Sequence, residues 1–293
     1  MIDLHTHTDQ SDGTATPAAL IAAAKALPLE ALAITDHDTL AGYDIAVPLA
    51  AEAGLELICG IELSTRLEPK PEDRIPGKRA PSVHLLGYFI DAPSPGFREW
   101  IVGSQRSRHQ RNLTLIARLN SLGVDITLDE VKVIGRNLTG RPHFARILLQ
   151  KGYVKTNQEA FDKYLADDAE AGVERDEPSL FEGVKRVSEG GGLPVLAHPV
   201  RLLGGRDRTK LAVLLKELIA VGLRGIEVFH SEHTPEDSET FASLAREFDL
   251  AITGGSDYHG GNKPGIELGT GKGNLHLPYS VLEAIREHAA VAR

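Results

Sequence analysis

Two short motifs near opposite ends of the chain each place two metal-binding side chains with one residue between them. His5-Thr6-His7 ends one apolar run, and Asp257-Tyr258-His259 follows another. On a β-strand, residues i and i+2 point to the same face, so each motif directs two ligands the same way from a strand end. Imidazole and carboxylate ligands without thiolate suit a divalent ion, with Mn²⁺, Fe²⁺ and Zn²⁺ as the candidates.

Five further candidate ligands lie between these motifs: Asp12, His37, Glu62, His84 and His198. A carboxylate in an otherwise apolar strand, such as Glu62, is costly to bury without a cation, although a salt bridge to an arginine is the alternative. His84 and His198 could each be hydrogen-bonded core histidines, Asp12-Gly13 an ordinary turn, and Asp38 the cap of the following helix. Nine candidate ligands together favour two or three ions over one.

The elements that must position these ligands alternate between strand and helix. Over the first 90 residues the pattern predicts strands at 2–5, 31–35, 55–63 and 83–89, helices at 17–27 and 43–53, and a loop at 68–81. Alternation resumes with strands at 194–197, 225–229 and 250–253 and helices at 180–188, 211–221 and 241–248. Seven strands that alternate with helices favour a parallel barrel over an open doubly wound sheet. Strand after strand ending in a ligand places a polynuclear metal centre at one end of that barrel.

The middle of the chain has a different pattern. After Pro93-Ser94-Pro95-Gly96 the periodicity is helical, with no convincing strand, and Leu113, Ile116 and Leu119 fit one helical face. We therefore expect a barrel domain formed by residues 1–96 and 177–293, with residues 97–176 as an inserted helical subdomain.

Composition narrows the class of protein. The chain has 293 residues, 42% of them hydrophobic, and its single cysteine, Cys59, excludes a disulfide scaffold and predicts a buried thiol. The net charge of −9 disfavours attraction of nucleic acid by the whole surface, whereas a phosphorylated substrate stays compatible because metal ions reverse the local field. Without a leader or an apolar run of membrane length, we expect a cytoplasmic protein with no membrane contact and no obligate protein partner.

In this order, the motifs resemble the PHP family, named for polymerase and histidinol phosphatase. That family is related to the amidohydrolases and has a distorted (β/α)₇ barrel; the resemblance covers about residues 1–90 and 190–275. It implies three metal sites, formed by His5, His7, Glu62 and Asp257, by Glu62, His84 and His198 with Glu62 bridging, and by Asp12, His37 and His259. Many members have histidine where this chain has Asp12, which makes the third site richer in oxygen.

Two segments of the insertion carry a closer resemblance, to the 3′,5′-nucleoside bisphosphate phosphatases of this family. These segments run from Thr139 to Arg146 and from Gly152 to Val154, and the run from Glu227 to His233 resembles a further part of that subfamily. Arg141 and His143 would suit phosphate recognition, because a guanidinium can hold two phosphate oxygens at once. Arg108 belongs to a basic run, Arg106, Arg108 and Arg111, for which a solvated helix face is the alternative.

The resemblance implies a phosphatase that releases the 3′-phosphate of a nucleoside bisphosphate such as pAp by means of metal-activated water. Two or three divalent ions would be its cofactors, Mn²⁺ before Zn²⁺ or Fe²⁺. His37 and His233 are candidates for catalytic proton transfer, and His233 for substrate binding, although His233 could simply cap a strand or helix. The alternatives are a 5′→3′ exonuclease on short oligonucleotides, a histidinol-phosphate-type phosphatase and a non-enzymatic metal-binding module.

Overall fold

The computed structural model describes residues 1–27, 29–68, 82–135, 139–166, 168–173, 177–202 and 204–291. In these ranges one sheet contains, in chain order, β1 (Ile2–Thr6), β2 (Ala31–Ile34), β3 (Glu56–Arg66), β4 (Ser82–Phe89), β5 (Leu193–Leu196), β6 (Gly225–His230) and β7 (Ala251–Gly255). The two outer strands also approach each other, since the His7 amide donates to the Tyr258 carbonyl (2.9 Å) and the Asp257 amide to the His5 carbonyl (2.8 Å). The sheet therefore curls into a nearly closed barrel, and the expected barrel fold is confirmed.

The expectation of an all-parallel barrel is wrong at one strand. β4 runs antiparallel to both neighbours, pairing Glu62 with Leu86 on β3 and Leu85 with Leu196 on β5. Antiparallel pairing joins adjacent strand ends, whereas a parallel pair needs a crossover that carries the chain back along the sheet. The start of β4 therefore lies where the other strands end, and His84 reaches the ligands from the third residue of its strand. The loop predicted at 68–81 lies outside the described residues apart from Glu68.

Helices cover the outside of the barrel, and most begin at a capping side chain. They are α1 (Pro17–Ala26), α2 (Ala41–Ala53), α7 (Leu180–Glu189), α8 (Arg208–Ile219), α9 (Pro235–Glu247) and α10 (Ser280–Val291). Thr234 accepts from the Asp237 amide and starts α9 six residues before the predicted Phe241. Sequence patterning did not predict α10, whose Leu282 and Ile285 pack with inward-facing strand residues. No helix in the described ranges is long and apolar enough to span a bilayer.

The segment between β4 and α7 is helical, as predicted, and no strand occurs in its described residues. It contains α3 (Pro95–Ser121), α4 (Leu128–Gly135), α5 (Arg141–Gln150) and α6 (Asn157–Ala160), followed by a π-helical turn. These helices share a hydrophobic cluster of their own around Leu119, Phe144 and Leu148, while Leu113 is 38% exposed and lies off the buried face. The domain division at residues 97 and 176 stays a prediction that this separate cluster favours.

Side chains of β3 alternate between two environments, one face packing in the core against the helices and the other facing the barrel interior. Cys59, Ile61 and Leu63 face the helices in the largest hydrophobic cluster, and the thiol is buried as predicted. Ile58 faces the barrel interior, where it packs with inward-facing residues of the other strands. Because side chains alternate along a strand, Glu62 shares the inward face with Ile58 and opens onto the end of the barrel.

Candidate metal centre

All nine predicted ligands meet at the end of the barrel where β4 begins and the other strands finish. We call this set the ligand cluster; it consists of His5, His7, Asp12, His37, Glu62, His84, His198, Asp257 and His259. Its most exposed members, Asp12 and His84, show only 26% of their side chains. Whether each residue binds an ion stays a prediction, but the convergence required for it is present.

The first predicted set converges most tightly. Potential ligand atoms of His5, His7, Glu62 and Asp257 all lie within 4.8 Å of one another. Glu62 Oε2 lies 3.2 Å from His5 Nε2 and 3.0 Å from His7 Nε2. Asp257 Oδ1 lies 3.5 Å from both of these nitrogen atoms. Four ligand atoms around one small volume match the coordination that a single divalent ion requires.

The second predicted set uses the other oxygen of Glu62. Glu62 Oε1 lies 2.8 Å from His84 Nδ1 and 2.8 Å from His198 Nε2. His37 also comes within reach, because it groups with Glu62 and His84 as a potential ligand set. One carboxylate therefore presents each of its oxygens to a different pair of imidazoles, as a bridging ligand would.

Asp12 is the centre of the third set, which is larger than predicted. His259 Nε2 lies 3.2 Å from Asp12 Oδ1, and His37 Nε2 lies 3.7 Å from Asp12 Oδ2. His7 joins them, with its Nδ1 3.6 Å from Asp12 Oδ1. His7 thus faces the first set through Nε2 and the third through Nδ1.

Several buried atoms of the cluster lack the hydrogen bonds that burial normally requires. Asp257 Oδ1, His259 Nε2 and both ring nitrogens of His7 make no well-aligned hydrogen bond among the described residues, although potential partners lie 3.0–3.6 Å away. An unsatisfied buried polar group costs about 1–3 kcal/mol, and a charged one more. These atoms point toward one another, and imidazole with carboxylate is a donor set that divalent transition metals accept. The residues present therefore fit bound metal ions.

The protonation states of Glu62, His37 and His198 suit metal ligands, whereas for His5 and His259 the nearby carboxylates outweigh burial and raise the pKa. Burial opposes ionisation of Glu62, yet the imidazoles of His37, His84 and His5 hold its pKa well below the usual range. Burial lowers the pKa of His37 to about 4 and that of His198 to about 3. The two imidazoles are therefore neutral at pH 7, with a lone pair free for a cation.

Two buried aspartates hold the loops that carry ligands. Asp36 accepts from the Thr8 amide (2.7 Å) and from the hydroxyls of Thr8 (2.6 Å) and Ser11 (2.6 Å), which fixes the loop leading to Asp12. Asp38 is not the predicted helix cap, because Leu40 occupies the N-cap position of α2. Its backbone adopts a positive φ of 49°, and its carboxylate turns instead to the Ser64 amide (2.8 Å) and hydroxyl (2.8 Å).

Some residues around the cluster were not predicted as part of it. Glu227 of β6 accepts from His5 Nδ1 (2.8 Å), and His230 at the end of that strand lies 3.3 Å from Asp257 Oδ2. Arg201 Nη2 (2.9 Å) and Lys263 Nζ (2.5 Å) donate to the same aspartate oxygen. For Glu227 the signal was present, since it interrupts an apolar strand just as Glu62 does.

The insertion closes one side of the ligand cluster with cationic side chains. A cavity of about 240 Å³ has Asp12, His37 and His84 on the barrel side and residues of α3 and α5 on the other. The basic residues on the insertion side, which we call the basic wall, are Arg108, Arg111, Arg141 and His143, and Glu177 also lines the cavity. Arg108 and Arg111 are buried while Arg106 is exposed, so the solvated-face alternative holds only for Arg106.

Two contacts orient the basic wall. Arg108 donates to the Asp38 carboxylate, which ties α3 to the loop that carries His37. His143 Nδ1 accepts from the Gly140 amide at 2.9 Å, so the hydrogen of the neutral ring is on Nε2. The wall thus presents guanidinium groups and an imidazole donor toward the cavity, a combination that suits an anion.

A second cavity, of about 210 Å³, lies on the other side of His84. His84 and Ser82 line both cavities, and Arg201 and Leu202 line the second one alone. His233 lines neither of them. Its Nδ1 donates to the Val228 carbonyl (2.8 Å), and its ring packs on His230 and Phe241, outside the ligand cluster. His233 therefore lies outside both cavities, and its catalytic and substrate-binding roles stay predictions.

Comparison with known proteins finds one family and several relatives. The PHP domain family matches residues 3–167. The 5′-3′ exoribonuclease of Haemophilus influenzae is 32% identical, with 88% of this chain and 89% of that protein covered. The 3′,5′-nucleoside bisphosphate phosphatase of Chromobacterium violaceum is also 32% identical, over 92% of this chain and 90% of that protein. A solved amidohydrolase structure from Chromobacterium violaceum, with bound sulfate, aligns with a TM-score of 0.79 at 30% identity, covering 98% and 96% of the two chains.

Proposed function

Since the chain belongs to the PHP domain family, we propose that it is a metal-dependent phosphoesterase that removes the 3′-phosphate of a 3′,5′-nucleoside bisphosphate such as pAp. The observation that carries this proposal is the single cavity in which the ligand cluster faces the basic wall. A bisphosphate has two anionic groups, one to react at the ligand cluster and one to be held by the wall. The similarity to a bisphosphate phosphatase over most of both chains supports the same substrate class.

The ligand cluster would hold two or three divalent ions, in the three sets described. When bound, such ions would activate water near neutral pH and neutralise charge on the phosphoryl oxygens. Glu62 would bridge two of the ions through its two oxygens. His37 is assigned to metal binding, because its Nε2 lies near Asp12 and Glu62 and burial lowers the pKa of its ring to about 4, which leaves it neutral at pH 7. Mn²⁺ is the proposed metal, with Zn²⁺ and Fe²⁺ as alternatives.

The basic wall would hold the 5′-phosphate and so set the position of the 3′-phosphate. Arg108 and Arg111 project from α3, and Arg141 from the first turn of α5. His143 Nε2–H would add a neutral donor. Binding energy at this remote phosphate can be used to orient the reacting one, so the wall would contribute to the rate as well as to affinity.

A second candidate function is 5′→3′ exonuclease activity on short oligonucleotides. With a phosphomonoester substrate, only phosphoryl oxygens lie beyond the ligand cluster. A phosphodiester substrate needs room there for a further nucleotide. The second cavity beside His84 and Arg201 offers such room, and the first is only slightly larger. Similarity to an exoribonuclease over most of both chains favours this candidate as well.

Turnover of a defined substrate panel tests both candidates, with inorganic phosphate measured for the monoesters and AMP measured for the dinucleotide. The metal-stripped protein is reloaded with Mn²⁺, Zn²⁺ or Fe²⁺ and presented with pAp, 3′-AMP, the dinucleotide pApA and histidinol phosphate. We expect kcat/KM for pAp to exceed that for 3′-AMP at least tenfold, with no turnover after chelation. Faster cleavage of pApA than of pAp would favour the exonuclease, and preference for histidinol phosphate would contradict a nucleotide substrate. Metal binding without turnover of any of the four would leave a non-enzymatic module.

A further inference from the structure

Glu227 is a fully buried carboxylate in the centre of the barrel that none of the predicted metal sites includes. It lies on β6 at an irregularity in the pairing with β7, and it is completely shielded from solvent. A carboxylate buried at this position requires contacts that offset its desolvation.

The two oxygens of Glu227 contact ligands from different predicted metal sites. Oε1 lies 2.8 Å from Nδ1 of His5, and Oε2 accepts from the backbone amide of His198 at 2.7 Å. Both groups are donors when a metal is bound, because a ring that binds an ion through Nε2 carries its hydrogen on Nδ1. From the proposed metal chemistry, we infer that Glu227 is the positioning residue that orients His5 in one site and His198 in the other.

The backbone of His198 shows why such a contact is needed. Its φ of 23° lies in a region that residues other than glycine rarely adopt. Such a conformation persists only where surrounding contacts stabilise it. The hydrogen bond to Glu227 provides that hold, and it leaves His198 Nε2 directed at Glu62 Oε1. On β1, the same carboxylate fixes the ring plane of His5 so that Nε2 faces Glu62 Oε2.

Direct binding of an ion by Glu227 is the competing interpretation, since His5, Glu227 and His230 form a group with ligand atoms within 4.8 Å. Glu227 Oε2 already accepts from the His198 amide, and the separation of 2.8 Å between Glu227 Oε1 and His5 Nδ1 matches a hydrogen bond from a ring whose Nε2 faces Glu62. His5 would also have to bind two ions through its two nitrogens. A fourth site is therefore disfavoured.

Titration of the metal-free protein with Mn²⁺, followed by the electron paramagnetic resonance signal of free Mn²⁺, tests the assignment. In Glu227→Gln the shape is kept, but the amide has one acceptor where two donors arrive. We expect the affinity of two ions to fall about 10- to 100-fold, with the number of bound ions unchanged. Glu239→Gln, the same change of charge on the exposed surface of α9, should bind Mn²⁺ like the wild type.

The outcomes separate this inference from the proposed function. Wild-type affinity in Glu227→Gln would overturn the inference, and loss of exactly one ion with the others unaffected would make Glu227 a ligand instead. If the wild type binds no divalent ion, the proposed function itself fails. Should Glu227→Gln not fold, the Zn²⁺-loaded wild type decides by long-range ¹⁵N–¹H spectra. His5 should then carry its hydrogen on Nδ1, and a hydrogen on Nε2 would overturn the assignment.

Discussion

The ligand cluster and the basic wall face each other across one cavity, but the cluster is rich in carboxylates and the wall in guanidinium groups. The cluster gathers carboxylates and imidazoles, several of whose buried atoms lack partners among the described residues, and in the proposed function cations complete it. The wall gathers guanidinium groups, and in the proposed function it would hold an anion beside the partners that Arg108 and Arg141 already have. In the proposed function, this difference would assign reactivity to the barrel and choice of substrate to the insertion.

Glu62→Gln should have the largest effect, because it removes the charge that the whole cluster shares. Four imidazoles approach the two oxygens of Glu62, at distances from 2.8 to 3.2 Å. We expect kcat/KM for pAp to fall more than about 100-fold, beyond the loss typical for residues that merely support a ligand. Metal content should fall with it, while the far-UV circular dichroism stays similar.

The control for this change is Glu52→Gln on the exposed face of α2, which should leave turnover and metal content as they are. Near-normal turnover with full metal occupancy in Glu62→Gln would show that Glu62 is a structural carboxylate. The cluster would then not be the reactive side of the cavity.

Arg141→Lys should have an intermediate effect that is confined to the wall. Lysine keeps the charge but loses the bidentate fork, and the lost charge-assisted bond should cost roughly 1.5–3 kcal/mol. That corresponds to about a 10- to 150-fold lower kcat/KM for pAp, with little change for 3′-AMP and none in metal content. Parallel kinetics on the two substrates and a metal assay measure it.

Arg146→Lys, an exposed position on the same helix, is the matched control. Arg141 also donates to the Leu165 carbonyl at 3.4 Å, which offers a purely structural role. A large fall in melting temperature with an unchanged preference for pAp would support that role and separate the wall from substrate choice.

Cys59→Ala should have the smallest effect, although Cys59 lies three residues from Glu62 on the same strand. Its side chain faces the helices and not the ligand cluster, and burial raises the pKa of the thiol to about 12. At pH 8 only about one molecule in 10⁴ would carry a thiolate, so a thiol reagent should react slowly until the protein unfolds. The substitution should cost about 1 kcal/mol of stability and leave turnover unchanged. Rapid labelling of the Cys59 thiol in the native protein would contradict its position on the buried, helix-facing side of β3.

Much of the ligand cluster could be predicted because its members lie in short motifs at strand ends. His5 and His7 need little more than the two-residue repeat of a strand, whereas Asp257, with a φ of 58°, and His259 lie beyond the end of β7, where that repeat does not apply. Glu227 has a comparable signal in its apolar strand, but nothing local shows that its partners are ring and backbone donors from β1 and β5.

The basic wall was harder to predict, because it depends on long-range packing. Arg108 and Arg111 share a helix with the exposed Arg106, and only the docking of α3 on the barrel decides which of them face the cavity. Strand direction has the same origin. Apolar patterning predicts β4 but carries no information on its direction, which the pairing partners set.

Because β4 runs in the reversed direction, the length of α3 determines where Arg108 lies along the barrel. β4 ends at the side of the barrel opposite the ligand cluster, so α3 begins there, and the Ser94 amide donates to the Gly190 carbonyl. From that point α3 runs back toward the ligand cluster. From Ser94 to Arg108 the helix rises about 21 Å, at 1.5 Å per residue. Near the ligand cluster, Gln105 donates to the Asp38 carbonyl and Arg108 to the Asp38 carboxylate, which fixes α3 there. In the proposed function, the position of Arg108 relative to the ligand cluster would therefore depend on the number of helical residues between Ser94 and Arg108. One residue added between them would turn Arg108 by about 100° about the helix axis and away from Asp38.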